Sequence, residues 1–319
     1  MRTAQWKHIM VVVTDPFARD QWAAAKAATV ARRTDAKVVL FNTFMVPQPV
    51  GDVAIDAHDR IIETAIEQRR ERLGAIAAQV RLPASTRCIV RWDYPIHEAI
   101  VRQVRRLKPD VLITDSHRHG RLARIVLANT DWELMRDCPC PLWFVRSAEL
   151  PRSSRWLVAV DPRHTHAKPA KLDDRLIRTA QRAVAQLGGR VSIVHAYEAP
   201  LSATPGMLLE PVRLPIAPQR SRDFVAHTTH SVFKLAEKHG VNAKECIVRE
   251  GEASNVIAAE AKRLRADVLM MGAVSRRRLA RPVIGATAER VIDHVDCDVF
   301  IVKPAGFKIR AKRPMAEAT

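Results

Sequence analysis

Acidic residues, aromatic rings and long apolar runs are all scarce in this 319-residue chain. Asp and Glu number 34 against 52 Lys and Arg, and aromatics make up 5%, with two tyrosines. So few rings disfavour the stacking platforms that read single-stranded nucleic acid. No stretch nears the ~18 apolar residues of a bilayer-spanning helix. The opening MRTAQWKHIMVVV lacks the basic cap, long apolar region and small-residue cleavage site of a secretory leader. A cytoplasmic protein is expected.

Five cysteines cannot all pair within one chain. Cys138-Pro-Cys140 is the one close pair, and its spacing suits neither a zinc ribbon nor a thioredoxin-like site. Eleven glycines and 19 prolines fall short of a collagen-like or linker-like composition. Catalytic signatures are missing too: no G-x-S-x-G elbow, no H-E-x-x-H, no P-loop. An enzyme is not expected, beyond slow incidental ATP hydrolysis.

What is present is an internal repeat. EAIVRQVRRLKPDVLI at 98–113 returns as NVIAAEAKRLRADVLM at 255–270, so Ile100/Ile257, Arg106/Arg263, Leu107/Leu264 and Asp110/Asp267 coincide. The same offset carries Thr130 onto Thr287 and Cys140 onto Cys297, and CIVR recurs at Cys88–Arg91 and Cys246–Arg249. Asp15-Pro16 after IMVVVT matches Asp161-Pro162 after WLVAV. A period this long is no solenoid; it means two tandem homologous domains, with extra residues in the second at Ala199–Gln219. We expect domains at 1–148 and 154–305 and a basic tail at 306–319.

Within each half, short β-branched runs alternate with amphipathic stretches. Strands are expected at His8–Thr14, Lys37–Phe41, Cys88–Arg91, Val111–Thr114 and Leu142–Val145, with helices over 18–34, 54–82, 96–108 and 124–136. The second half repeats the order with strands near 156–160, 191–195, 246–249, 267–271 and 299–302. Wholly apolar strands between helices predict an α/β fold: two doubly wound parallel sheets, Rossmann-like, in the order 3-2-1-4-5. Such sheets bind ligands beyond their carboxyl ends.

At those ends the second half is informative. ADVLMM runs into Gly272-Ala273-Val274-Ser275, then the arginines Arg276–Arg278 and Arg281, then Gly285-Ala286-Thr287 opening a helix. A glycine leaving a strand admits a ligand to the backbone, and a helix start offers free amides and a hydroxyl to an anion. Asp161 ends the first strand of this half, where it either faces the ligand or caps the turn with Pro162.

The doubled unit, the aspartate after the first strand, and D-V-L-M-M-G … G-A-T-A-E-R-V-I-D-H … C-D-V-F-I-V-K-P together resemble the universal stress protein family. The stretch Asp131-Trp132-Glu133-Leu134-Met135-Arg136-Asp137-Cys138-Pro139-Cys140-Pro141-Leu142-Trp143 is similar to that of its tandem two-domain UspE type. The resemblance implies a non-catalytic stress-response protein. ATP-binding members carry G-x(2)-G-x(9)-G-[S/T]. Carried over, the second half offers Gly272, Ser275 for the second glycine, Gly285, and Ala286 for the hydroxyl, with Thr287 next and Arg276 alongside. The resemblance thus implies ATP or another adenine nucleotide, or a small phosphorylated ligand, in the second domain, with no metal set. The first half has Asp115, Arg118, Ala128 and Asn129 at the matching positions, so it is expected not to bind ATP. His117 and His119 are expected to be solvated.

Three other readings stay open: a scaffold for protein partners with vestigial sites, a polyanion binder, and an apolar-ligand pocket under Ala199–Gln219. The charge leans to the second half, with 23 basic and 17 acidic residues in 1–150 and 29 and 17 beyond. It forms no stripe along the sequence with interleaved aromatics, which disfavours nucleic acid. A monomer with paired internal domains, or a homodimer, is expected.

Overall fold

The computed structural model describes residues 5–46, 55–115, 124–163, 171–198, 218–273, 290–292 and 294–304. Contacts divide the chain into two compact units, one built on Trp6–Glu149 and the other on Leu150–Val274 with Gly285–Val302.

In the first unit the order is β1 (His8–Val12), α1 (Trp22–Thr34), β2 (Lys37–Phe44), α2 (Ile55–Gln79) and β3 (Arg87–Trp92). Next come α3 (Ile96–Leu107), β4 (Val111–Asp115), α4 (Arg124–Asp137) and β5 (Leu142–Val145). The strands lie in the order β3-β2-β1-β4-β5, each pair parallel. Right-handed crossovers send α1 and α2 to one face and α3 and α4 to the other, and α3 and α4 touch. Strands such as HIMVV and LWFV are buried almost end to end because helices cover the sheet. In α3 the buried Ala99, Ile100, Val101, Gln103 and Val104 form one stripe, leaving Arg102, Arg105 and Arg106 in solvent.

Helix α1 starts at Trp22 rather than at 18. The preceding residues form a turn, in which the Asp15 carboxylate accepts the Phe17 N–H at 2.9 Å and the Gln21 amide donates to the Asp15 and Ala18 carbonyls.

The second unit repeats the plan. It runs β6 (Arg155–Ala159), α5 (Leu172–Leu187), β7 (Arg190–Tyr197), α6 (Pro218–Lys238), β8 (Cys246–Glu250), α7 (Ala253–Arg263), β9 (Val268–Gly272) and β10 (Asp298–Val302). Its strand order is β10-β9-β6-β7-β8, again parallel. Leu172, Leu176, Ile177, Ala180, Ala183 and Leu187 of α5 recur at helical spacing on its buried face.

One coincidence of the repeat has a structural cause. The Asp110 carboxylate accepts the backbone amides of Lys7 and His8 at 2.7 and 2.9 Å, and that of Asp267 accepts the Arg155 amide at 2.8 Å. Each aspartate ties the start of its unit's fourth strand to the start of the first.

No helix among the described residues is long and apolar enough to cross a membrane.

Candidate functional site

Parallel strands deliver their carboxyl ends to one edge, and in the second unit that edge holds an open cavity of about 350 Å³. Its walls come from four segments. The turn after β6 gives Arg163, β7 gives His195 and Tyr197 with Glu198 just after it, and α6 gives Phe224 and Thr228. The β8–α7 connection contributes Gly251 and Glu252, the start of α7 adds Ala253 and Ser254, and Arg290 closes the lining.

Local bonding fixes each wall. Gly251, at φ 137, donates its amide to the Tyr197 carbonyl at 2.8 Å, a left-handed conformation that suits glycine. The Arg163 guanidinium lies 4.5 Å from the Phe224 ring centre and donates to the Thr228 hydroxyl at 2.8 Å. Tyr197 packs against Phe224 with ring centres 5.9 Å apart. Buried His195 donates Nδ1–H to the Val160 carbonyl at 2.9 Å, since a carbonyl can only accept. Arg290 reaches Glu252 Oε1 at 2.5 Å, and Ser254 and Asn255 each donate to Glu252 at 2.8 Å. The Ser254 hydroxyl and Arg290 hold the Glu252 carboxyl below its ordinary range. The cavity thus combines two guanidiniums, two rings and two carboxylates, a set able to engage an anionic group, a flat ring and hydroxyls together.

The site residues expected from sequence divide sharply. Gly272 ends β9, paired with Val302, and extending the β6–β9 register by two places it beside Val160, one residue before Asp161. Asp161 donates its amide to the buried Asp173 carboxylate at 3.2 and 3.3 Å. Neither Asp161 nor Gly272 lines the cavity among the described residues. Ser275, Arg276, Gly285, Ala286, Thr287 and nearly all of Ala199–Gln219 lie outside the described residues.

The first unit's edge is occupied by its own side chains. Asp115, at the position of Gly272, is buried and accepts the Ala23 amide of α1 at 2.7 Å. Gln21, at the N-cap of that helix, makes no side-chain capping bond of its own. The Arg69 guanidinium sits 4.5 Å from the Phe44 ring centre and 5.6 Å from that of Phe17. Asp131 on α4 faces Arg146 and Asp115; burial outweighs the arginine and, helped by Asp115, pushes its carboxyl up to about 7.

Two successive matches to the universal stress protein family cover residues 5–146 and 155–303. The chain belongs to the universal stress protein family. Among its relatives in this family, Universal stress protein E of Escherichia coli K12 is 28% identical over 309 residues, spanning 92% of this chain and 93% of that protein. Universal stress protein E of Photorhabdus laumondii is 24% identical, spanning 97% and 98%. Among solved structures, a protein of unknown function from Pseudomonas aeruginosa PAO1 shares the fold with a TM-score of 0.68 at 20% identity, over 95% of this chain and 94% of that one. Here the universal stress protein fold occurs twice in one chain.

Sequence reasoning missed most of the cavity. Arg163, Tyr197, Phe224, Glu252 and Arg290 converge from separate segments without a motif, although Gly251-Glu252 leaving a strand repeats the cue that picked out Gly272. It also missed His97, Glu133 and Asp137, whose potential ligand atoms lie within 4.8 Å of one another between α3 and α4. Arg136 pairs with both carboxylates, so the group is bound up as an ion-pair cluster.

Proposed function

We propose that this chain is a stress-response protein that acts by binding, and that its second unit holds an adenine nucleotide or another small phosphorylated ligand at the carboxyl edge of the sheet. The observation that carries this reading is the cavity beside β7, of about 350 Å³ and within the range of small-ligand sites. Arg163 and Arg290 supply charge-assisted donors for phosphate, Tyr197 and Phe224 a surface for a ring, and Glu198 and Glu252 acceptors for hydroxyls. Asp161, Gly272, Ser275, Arg276, Gly285, Ala286 and Thr287 are proposed to complete the site, the glycines and helix start receiving the phosphates. On this reading the protein works in the cytoplasm, with domains at 1–148 and 154–305 and a basic tail at 306–319. The first domain leaves nucleotide binding to the second, because Asp115 places a carboxylate where a phosphate would approach.

Calorimetry of the full chain with ATP, ADP and AMP tests this. The expected result is one nucleotide per chain, abolished by Gly272→Asp, which copies the first unit. No heat from folded protein with any of the three sinks the reading and leaves a scaffold with two vestigial sites. Two nucleotides per chain would refute the assignment of the first unit.

A further inference from the structure

In a parallel sheet every strand starts, and every connecting helix ends, on the edge opposite the carboxyl ends. Residues scattered along the sequence therefore gather there. In the first unit Lys7 and Lys37 precede and open neighbouring strands, with His8 beside Lys37 in the ladder and the Lys37 amide bonded to the Lys7 carbonyl at 2.8 Å. Arg87 opens the next strand, two residues further along β2. Arg105 and Arg106 fill the last turn of α3, and Lys108 caps it. All six are exposed, and among the described residues none is ion-paired.

Helix ends attract cations through the macrodipole, which accounts for Arg105 and Arg106. Strand starts carry no such field, so Lys7, Lys37 and Arg87 have no structural cause. The acidic groups on this edge do not balance them. Asp110 is spent on the Lys7 and His8 amides, Asp137 is paired with Arg136, and Asp35 remains. The second unit repeats the arrangement independently, with exposed Arg190 opening β7, and Arg152, Lys244 and Arg265 just before β6, β8 and β9.

We infer that the amino-terminal edge of the sheet in the first unit, Lys7, Lys37, Arg87, Arg105, Arg106 and Lys108, is a binding surface for the phosphate backbone of duplex nucleic acid. The partner follows from what accompanies the charge. Among the described residues, the exposed large apolar side chains of this unit stand away from this edge. Phe17, Met45 and Tyr94 follow strands, Trp92 ends β3, Ile96 begins α3, and Ile61 lies in the early part of α2. A membrane-docking face sets apolar side chains beside its lysines, and a single-strand binder offers rings. A rigid cationic row without either matches a duplex backbone, contacted without regard to sequence.

The test is fluorescence anisotropy of the full chain with a labelled duplex of about 30 base pairs, of arbitrary sequence, at several salt concentrations. If all six cations contact phosphate, log K falls with log salt at a slope of about −5. The variant Lys37→Glu/Arg87→Glu/Arg105→Glu is expected to flatten that slope by about 3 and to weaken binding at least ~30-fold. Arg19→Glu/Arg60→Glu/Arg91→Glu changes net charge equally away from this edge and is expected to weaken it less than ~3-fold. Should the first variant melt early, Lys37→Gln/Arg87→Gln/Arg105→Gln takes its place with a smaller expected loss. No salt-dependent binding, equal loss in the control variant, or tighter binding to phosphatidylserine vesicles than to duplex would each overturn the inference.

Discussion

The two units solve one local problem in opposite directions. In the first, a carboxylate on the end of the fourth strand, Asp115, holds an amide near the start of the first helix, Ala23. In the second, the carboxylate has moved onto the helix: Asp173, second residue of α5 as Ala23 is of α1, accepts the amide of Asp161 at the end of the first strand. Both arrangements satisfy a backbone donor near a helix N-terminus with a nearby anion. The consequences differ. The first leaves a charged side chain at the strand end, the second a bare glycine at Gly272. A duplicated unit can keep its fold and change its edge by moving one carboxylate from strand to helix.

The sharpest way to break the comparison is at the turn between the first helix and second strand. In the second unit that turn is Gly188-Gly189, and a Cβ on Gly189, at φ 117, would stand 2.1 Å from the Ser154 carbonyl oxygen. Gly189→Ala is expected to destabilise the second unit by about 3–4 kcal/mol in urea unfolding. The first unit turns through Asp35 at φ 55 instead, so Asp35→Gly should shift stability by less than ~1 kcal/mol there.

Next in size is the pair of strand-tying aspartates. Asp110→Ala removes an acceptor of two amides and is expected to cost about 2–3 kcal/mol, Asp267→Ala about 1–2 kcal/mol. Unfolding followed by unit-specific tryptophan fluorescence separates them, through Trp143 and Trp156. Equal costs would mean that the second amide contributes nothing.

Asp131 sharpens the electrostatic contrast. Its folded carboxyl sits at about 7, above the ~3.9 of an unfolded aspartate, so the fold favours the neutral form. That contribution is complete below the unfolded value and is lost as pH rises through about 7. Asp131→Asn should therefore raise the melting temperature of the first unit by about 2–6 °C at pH 8 and leave it nearly unchanged at pH 4. A rise that is the same at both pH values would refute the assignment.

The smallest expected effect on stability is at the cavity. Arg290→Gln breaks an exposed ion pair with Glu252 and should leave the melting temperature within about 1 °C. Nucleotide affinity, measured by calorimetry, should fall about tenfold or more.

The architecture was legible because it rests on signals that survive in one dimension. Apolar strands such as HIMVV, amphipathic stretches such as 54–82, and the doubled landmarks led to two parallel sheets in the observed order. Asp110 and Asp267 stood out as repeated identities, though their role as strand ties became visible only in three dimensions. The edges were less legible because their partners lie far apart in sequence. Asp115 meets Ala23 across 92 residues, and Arg290 meets Glu252 across 38. Charge was hidden in the same way, since Lys37, Arg87 and Arg105 are distant in the chain and share an edge only through the topology.

The aspartate ties also set an order of events during synthesis. The first strand of each unit is central, flanked by the second and the fourth, and its tie to the fourth spans about a hundred residues. While the chain is still emerging, β1 can pair on one side with β2, but its other edge stays open until Asp110 and β4 have left the ribosome. Closure of the first unit therefore waits for roughly three quarters of its length, then proceeds before the second unit has been made. A nascent chain stalled just short of Asp110 leaves this edge of β1 open, and one from which β4 has emerged can cover it. Translation speed across that interval, rather than the stability of the finished protein, decides how long this edge is open to other chains.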